Sequence, residues 1–260
     1  MTDEPPVMTP AAFDAQFRAQ HSSSLLPHLW SRAWGEQYPS EVAPNSGCPW
    51  RLLGLMVSRL RPAPGSTVVD LGCGLGGPGL WLARATGTRL VGVDWSSAAV
   101  EIASDRAPSW LPDGRATFHT GTFDDTGVED AAADAVISVD ALALAPDPLS
   151  ALTEARRILR PGGRLLFTAA EPLADLAAND TTMWSDPLRE VGLVPGPYHE
   201  LPDERESWRR FYALVREHEA ALTTEMGSQA TGTLLAEATM LEPHLDDLTW
   251  GAVEATAPTA

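Results

Sequence analysis

The stretch "VVDLGCGLGGPGLWLA", residues 68–83, decides how the chain is read. A short apolar run ends at Asp70. Gly72, Gly74, Gly76, Gly77 and Gly79 follow before an apolar helical pattern resumes. This pattern predicts a buried strand, a tight turn and a helix start, where bare amides usually meet an anion. Gly72-x-Gly74-x-x-Gly77 also satisfies a dinucleotide fingerprint, and Asp94 follows at about the spacing needed to hold ribose hydroxyls. Asp70 argues against a pyrophosphate. It closes the first strand and points into the crevice where that group would sit. Two like charges about 4 Å apart at an effective dielectric of about 20 repel by roughly 4 kcal/mol.

A cationic ligand that carries an adenosine removes the conflict. S-adenosylmethionine offers an ammonium and a sulfonium to a carboxylate and two ribose hydroxyls to Asp94. The glycines then serve close approach of the backbone to an uncharged sugar.

On either side of the turn, apolar runs alternate with helical patterns. Strands are expected at "STVVDLG" (66–72), "RLVGVD" (89–94), "ATFHTG" (116–121), "ADAVISVD" (133–140) and "RLLFTAAEP" (164–172). "PGPYHEL" (195–201) and "LTWGAVEAT" (248–256) bring the total to seven. Helices are expected at "WRLLGLMVSRL" (50–60), "GPGLWLARATG" (77–87), "SSAAVEIASDRA" (96–107) and "DPLSALTEARRIL" (147–159), with "RPGG" as a turn. Strands alternating with helices predict an α/β fold, a doubly wound, mostly parallel seven-stranded sheet. Phe13 and Phe17, then Leu25, Leu29 and Trp30, recur at helical spacing broken at Pro27, which predicts a helical N-terminal cap. Trp208, Phe211, Tyr212, Val215 and Leu222 form one helix face near the C-terminus, and Leu234, Leu235, Ala238 and Leu241 another. The expected organisation is one domain: a disordered tail (1–10), a helical cap (11–62), a cofactor-binding core (63–171) and an acceptor-side part with a helical insertion (172–260).

The chain has 260 residues, 44% of them hydrophobic, enough for a sizeable core. Its formal charge of −17 opposes nucleic-acid and anionic-membrane partners. No run approaches the roughly 18 apolar residues of a membrane span. With two cysteines, Cys48 and Cys73, and no signal-like N-terminus, a cytoplasmic location is expected. No His/Cys/Glu cluster has metal-ligand spacing, so no metal is expected.

"VVDLGCGLGGPG", "VGVDWS", "HTGTFDD", "ADAVISVDALALAPD" and "EARRILRPGGRLLFT" stand in the order and spacing of the class I S-adenosylmethionine-dependent methyltransferases, which residues 66–171 resemble. "WGEQYP" (34–39) resembles an opening segment of the small-molecule methyltransferases of actinomycetes. The resemblance implies a Rossmann-like methyltransferase fold, with S-adenosyl-L-methionine consumed and S-adenosyl-L-homocysteine released. It implies that Asp70 serves the methionine end and that Gly72, Cys73 and Gly74 line it with backbone. Asp94 would take the ribose hydroxyls, and Trp95 would lie against the adenine. Thr122 stands where the family usually has an acidic residue on the adenine amino group, and the Phe123 N–H would reach the ring. Asp140 lies where the family contacts the methionine amino group.

The acceptor would be a small, partly hydrophobic molecule of specialised metabolism, methylated on O, N or C. Trp30, Trp34 and Tyr38 are four apart in turn. They either seat the N-terminal helix or line the acceptor pocket, and Gly35 and Pro39 favour a loop over one continuous helix. Trp184, Trp208 and Tyr212 would close the opposite wall, with plain helix packing the equal alternative for Trp208 and Tyr212. His21 and His199 are the candidate bases, with His199 also a candidate acceptor contact. A monomer or homodimer is expected. Two alternatives stay open: a non-methylating cyclase or ligand-binding protein that keeps the cofactor structurally, and an NAD-dependent oxidoreductase.

Overall fold

A computed structural model describes residues 9–173 and 182–259. Seven strands form one sheet in the order β3-β2-β1-β4-β5-β7-β6. They are β1 (Thr67–Leu71), β2 (Arg89–Asp94), β3 (Ala116–Thr120), β4 (Ala133–Ser138), β5 (Leu159–Pro172), β6 (Val194–Glu200) and β7 (Leu248–Thr256). The first five run parallel, and β7 lies antiparallel between β5 and β6. Val68, Val69 and Leu71 of β1 are buried, as a central strand covered on both faces requires. Leu159 pairs with Ala133 and Arg164 with Ala135. The expected "RPGG" turn is therefore a bulge inside β5, with Gly162 at φ +77°.

Helices α3 (Trp50–Leu60), α4 (Gly77–Thr86), α5 (Ser97–Arg106) and α6 (Pro148–Ile158) flank the sheet, and α7 (Ser185–Glu190), which the sequence pattern did not flag, precedes β6. Local chemistry sets their ends. Ser96 accepts the Ala99 N–H at the start of α5, Asp147 accepts the Leu149 and Ser150 amides at α6, and Gly87 ends α4 at φ +72°.

The remaining helices make a second layer: α1 (Pro10–Ser22), α2 (Leu25–Trp34), α8 (Glu204–Glu217) and α9 (Glu219–Leu241), the last broken at Gly227. Its core joins Leu26, Leu29, Trp30 and Trp34 to Phe211, Tyr212, Val215 and Leu222. Trp30 stacks on Phe211 with centroids 3.8 Å apart. Both ends of the chain thus supply one apolar cluster, and neither helix pair could bury its stripe alone.

Three expectations change in detail. The break expected at Pro27 falls instead at Ser23 and Ser24. Pro27 sits in the first turn of α2, where an amide has no helical partner anyway. Leu222 belongs to α9, because the helix ends at His218. Residues 1–8 of the expected tail lie outside the described residues, while Thr9 caps and Pro10 begins α1.

Trp30→Ala removes the ring at the centre of the helical layer. The expected cost is about 3–5 kcal/mol. Scanning calorimetry should read this as a fall in melting temperature of about 10 °C in a chain of this length. A fall of no more than about 2 °C would show that the layer does not depend on this stack.

Candidate functional site

The carboxyl ends of β1 and β4 lie side by side where the strand order reverses, the place at which open α/β sheets hold ligands. The chain leaves β1 through three left-handed glycines, Gly72 (φ +69°), Gly74 (φ +49°) and Gly76 (φ +74°). A Cβ on Gly72 would stand 2.5 Å from the Ala141 Cβ, so the turn admits no side chain there. Asp94, ending β2, ties the turn down. Its carboxyl accepts the Gly74 N–H at 2.9 Å and the Ser96 N–H at 2.9 Å. Asp70 lies beneath the first turn of α4, facing the Gly79 amide, and is 2% exposed with no hydrogen-bond partner for Oδ2. The carboxyl turns toward the Gly79 amide under α4, not into the crevice as the sequence reading expected.

Helix α1 covers this cradle. Phe17 approaches to 3.4 Å of where a Gly74 Cβ would be, and Phe13 meets Trp95 edge-on at 4.9 Å. Asp14 caps α5, accepting from Ser96 Oγ, Ser97 Oγ and the Ala98 N–H. The Phe123 ring comes within 3.2 Å of where a Gly72 Cβ would be, and Thr122 is exposed with its N–H donated to Asp125 O. Cys73 is buried, which pushes its thiol well up. It fills space in the turn.

Beyond the cradle stands Asp140, just past β4 at φ +49°, a conformation rare outside glycine. Thr168 Oγ accepts the Asp140 N–H at 2.7 Å and donates to Oδ1 at 2.9 Å, while Gly47 N–H donates to Oδ2 at 2.7 Å. Gly47 belongs to the loop joining α2 to α3, and its amide marks a crowded point. A Cβ there would lie 2.8 Å from Glu204 Oε2, 3.1 Å from Trp208 Cζ2 and 3.3 Å from Asp140 Oδ2. Glu204, 3% exposed at the start of α8, accepts the Trp34 indole N–H at 2.8 Å. Tyr212 donates to Glu237 nearby. A groove of about 220 Å³ opens to solvent beside them, with Trp34, Pro49 and Leu201 in its wall and the charged Arg51, Glu204 and Arg210 among its lining.

Burial dominates the electrostatics. It pushes Asp70 up to about 7, helped by Asp94, and Asp140 up to about 6. Glu204 rises to about 8 through burial, with Asp140 adding to it and the Trp34 bond opposing it.

Trp30 and Trp34 stand on α2, with Trp34 in the groove wall. Tyr38 lies past Gly35 in the loop, as the interruption predicted, and donates to Pro44 O. Trp184 is not across from them. It packs edge-on against Phe167 at 4.9 Å in a separate core cluster, because Phe167 faces away from the Thr168 side of β5. His199 is bound to Glu254 at 2.9 Å, alongside the Arg59 pair, and His21 is exposed at the end of α1. Neither faces Asp140 in the way a base there would. Sequence reasoning missed Gly47, Thr168 and Glu204. The one cue for Glu204 was an acid opening the helix "ERESWRR", which reads as ordinary end chemistry.

Residues 69–167 match the family model described as a methyltransferase domain. The chain is 33% identical over 127 residues to Methyltransferase GfsG of Streptomyces halstedii, covering 49% of this chain and 46% of that protein. It is 31% identical over 174 residues to the 27-O-demethylrifamycin SV methyltransferase of Amycolatopsis mediterranei, covering 65% and 62%. The chain thus spans about half to three-fifths of the length of these relatives. The solved structure of the [4+2]-cyclase SpnF superposes with a TM-score of 0.69 at 23% identity, over 81% of each chain, a likeness of fold alone. Among the described residues no helix is long and apolar enough to cross a membrane, and no cluster of His, Cys, Asp and Glu is placed to hold a metal ion.

The raised carboxyls fix a pH dependence. Between their ordinary value near 4 and their folded values of about 6 to 8, the folded chain keeps protons that the unfolded chain releases. Their contribution is full below about pH 4 and is lost as pH rises through the folded values. The melting temperature of the ligand-free protein should fall between about pH 5 and pH 8.5. Glu204→Gln should match the wild type at pH 5 and exceed it at pH 8.5. Parallel profiles would remove Glu204 from this account.

Proposed function

We propose, for a chain whose core belongs to the class I S-adenosylmethionine-dependent methyltransferases, transfer of a methyl group to a small, partly hydrophobic acceptor of specialised metabolism. The observation that carries this reading is the pairing of Asp94, at the end of β2, with a glycine cradle that admits no side chain. Asp94 would hold the ribose hydroxyls, and Asp140 would face the methionine end. When bound, S-adenosylmethionine supplies an electrophilic methyl group on a positively charged sulfur. The protein's part is to align the acceptor and exclude water, which α1 and the loop around Gly47 serve by covering the two sides of the turn.

The acceptor side would be the groove walled by Trp34, with Trp208 and Trp30 packed against that ring. That wall fits a ligand with an apolar ring or chain. The names of the two actinomycete relatives, one a rifamycin methyltransferase, support an acceptor of similar kind. The net charge of −17 weighs against nucleic acid as the acceptor. The acidic groups at the turn likewise weigh against NAD, whose pyrophosphate would lie beside Asp70.

Titration calorimetry with S-adenosylmethionine, S-adenosylhomocysteine and NAD tests this reading. The first two should bind at micromolar dissociation constants and weaken at least about a hundredfold in Asp94→Ala, which is about 2.7 kcal/mol. NAD should not bind. Binding of NAD alone overturns the reading. Cofactor binding with no S-adenosylhomocysteine formed from any acceptor would instead favour a non-methylating protein on this fold.

A further inference from the structure

The chain carries 35 acidic side chains against 18 cationic ones, all of them arginine. At one cavity that balance is reversed. A space of about 250 Å³ opens between the C-terminal end of α3 and the strands β5 and β7, lined by Ser58, Arg59, Arg61, Arg164, Glu254 and Thr256. Three guanidiniums, one carboxylate and two hydroxyls face it. Arg164 pairs with Thr256 across β5 and β7 and with Ala135 near the start of β4, so the cavity lies at the end of the sheet away from the glycine turn.

The carboxylate does not neutralise this lining. Glu254 Oε2 accepts from Arg59 Nε at 2.7 Å and meets His199 Nε2 at 2.9 Å, so its charge is committed to Arg59. Arg61 and Arg164 have no ion-pair partner among the described residues, whereas Arg160, also on β5, has Asp134 at 2.7 Å. Like charges around one small space repel, and the excess here is two positive charges.

Helix-end chemistry explains part of the arrangement. Arg61 Nε donates to Ser58 O at 3.1 Å and Arg164 Nη1 donates to Arg59 O, so both answer carbonyls that the last turn of α3 leaves open. Each bond uses one of the five N–H groups that a guanidinium carries. It holds the planar fork in place and leaves the other donors for a ligand.

We infer that this cavity binds a phosphate group, free or as a small monoester, between Arg61 and Arg164. Arg59 and the Ser58 and Thr256 hydroxyls complete the ring of donors. A phosphate dianion answers both excess charges, and its oxygens take the paired N–H groups of a guanidinium two at a time. A carboxylate would leave one positive charge unmet. The volume holds a phosphate with a few carbons and falls below the range of pockets for larger ligands. The site is independent of the methyl-transfer reading, since it shares no residue with the crevice.

The test is titration calorimetry of the full-length protein near neutral pH, in a buffer free of phosphate, with inorganic phosphate and with ribose 5-phosphate. The sugar phosphate carries no adenine to draw it to the glycine turn. Inorganic phosphate should saturate a single site with a dissociation constant below about 1 mM. Arg61→Gln and Arg164→Gln should each weaken it at least about tenfold, while Arg89→Gln stays within about twofold of the wild type. Arg89 is an exposed cation at the start of β2, outside the cavity, and controls for general charge. Arg164 also closes α3, so the melting temperature of its variant is read first. Arg61 is exposed, and its variant keeps the test decisive should Arg164→Gln fail to fold.

Ribose 5-phosphate binding as tightly as phosphate, or more so, would sustain the site and make a monoester its occupant. Weaker binding of the sugar phosphate would sustain it for the free ion. An equal loss in Arg89→Gln would reduce the binding to general charge, and binding that survives both cavity variants would place it elsewhere. No saturable binding of either compound would leave the guanidiniums as caps of α3 alone. Each of these last three results overturns the proposal.

Discussion

The hydrogen bond from the Gly47 amide to Asp140 joins the two halves of the site. Asp140 is fixed to the sheet by Thr168, and Gly47 lies in the loop that hangs between α2 and α3. Through that bond a loop from the helical layer is set over the carboxyl end of β4. Arg106 braces the same loop from α5, donating to Val42 O and to Leu75 O in the glycine turn. Asp140 holds these partners from a left-handed backbone at φ +49°, a conformation that costs a non-glycine residue energy.

Asp70, Asp94, Asp140 and Glu204 share a second property. Their described partners are backbone amides, a threonine hydroxyl and an indole, none of which carries a charge. The contrast with Glu154 is instructive. It is also buried, yet Arg157 reaches it at 2.6 Å and holds its carboxyl below the ordinary range despite burial. Glu154 is a structural acid answered inside the protein. The site acids are answered only by dipoles, so burial prevails and their proton affinity rises.

Most of the sheet was legible because its signals are local. The apolar runs and glycine stops of β1, α4, β2 and α5 fall within residues 67–106. Asp94 contacts a turn 20 residues away within the same βαβ unit. The acceptor side was not legible for the opposite reason. Trp34 and Glu204 are 170 residues apart, and Gly47 and Asp140 are 93 apart, so no periodicity links them. Trp184 was misplaced because an isolated tryptophan carries no sign of which face of the sheet it will enter. His199 looked like a base because histidine at a strand end often is one. Its commitment to Glu254 is visible only once β6 pairs with β7.

These arrangements place stability and function in opposition at the same residues. A chain selected for ligand-free stability alone would replace Asp70 and Glu204 with neutral, well-packed side chains, since a buried acid with no cation beside it is a standing penalty. The apolar layer offsets that penalty from a distance. Trp30, Phe211 and their neighbours bury large rings where no ligand chemistry is needed, and Trp34 belongs to both regions, with its ring in the layer and its N–H on Glu204. The aromatic cluster and the acidic site are therefore one design seen from two sides. The rings supply packing energy that offsets the burial of Asp70, Asp94 and Glu204, and those carboxyls give the site a chemical preference that packing alone could not.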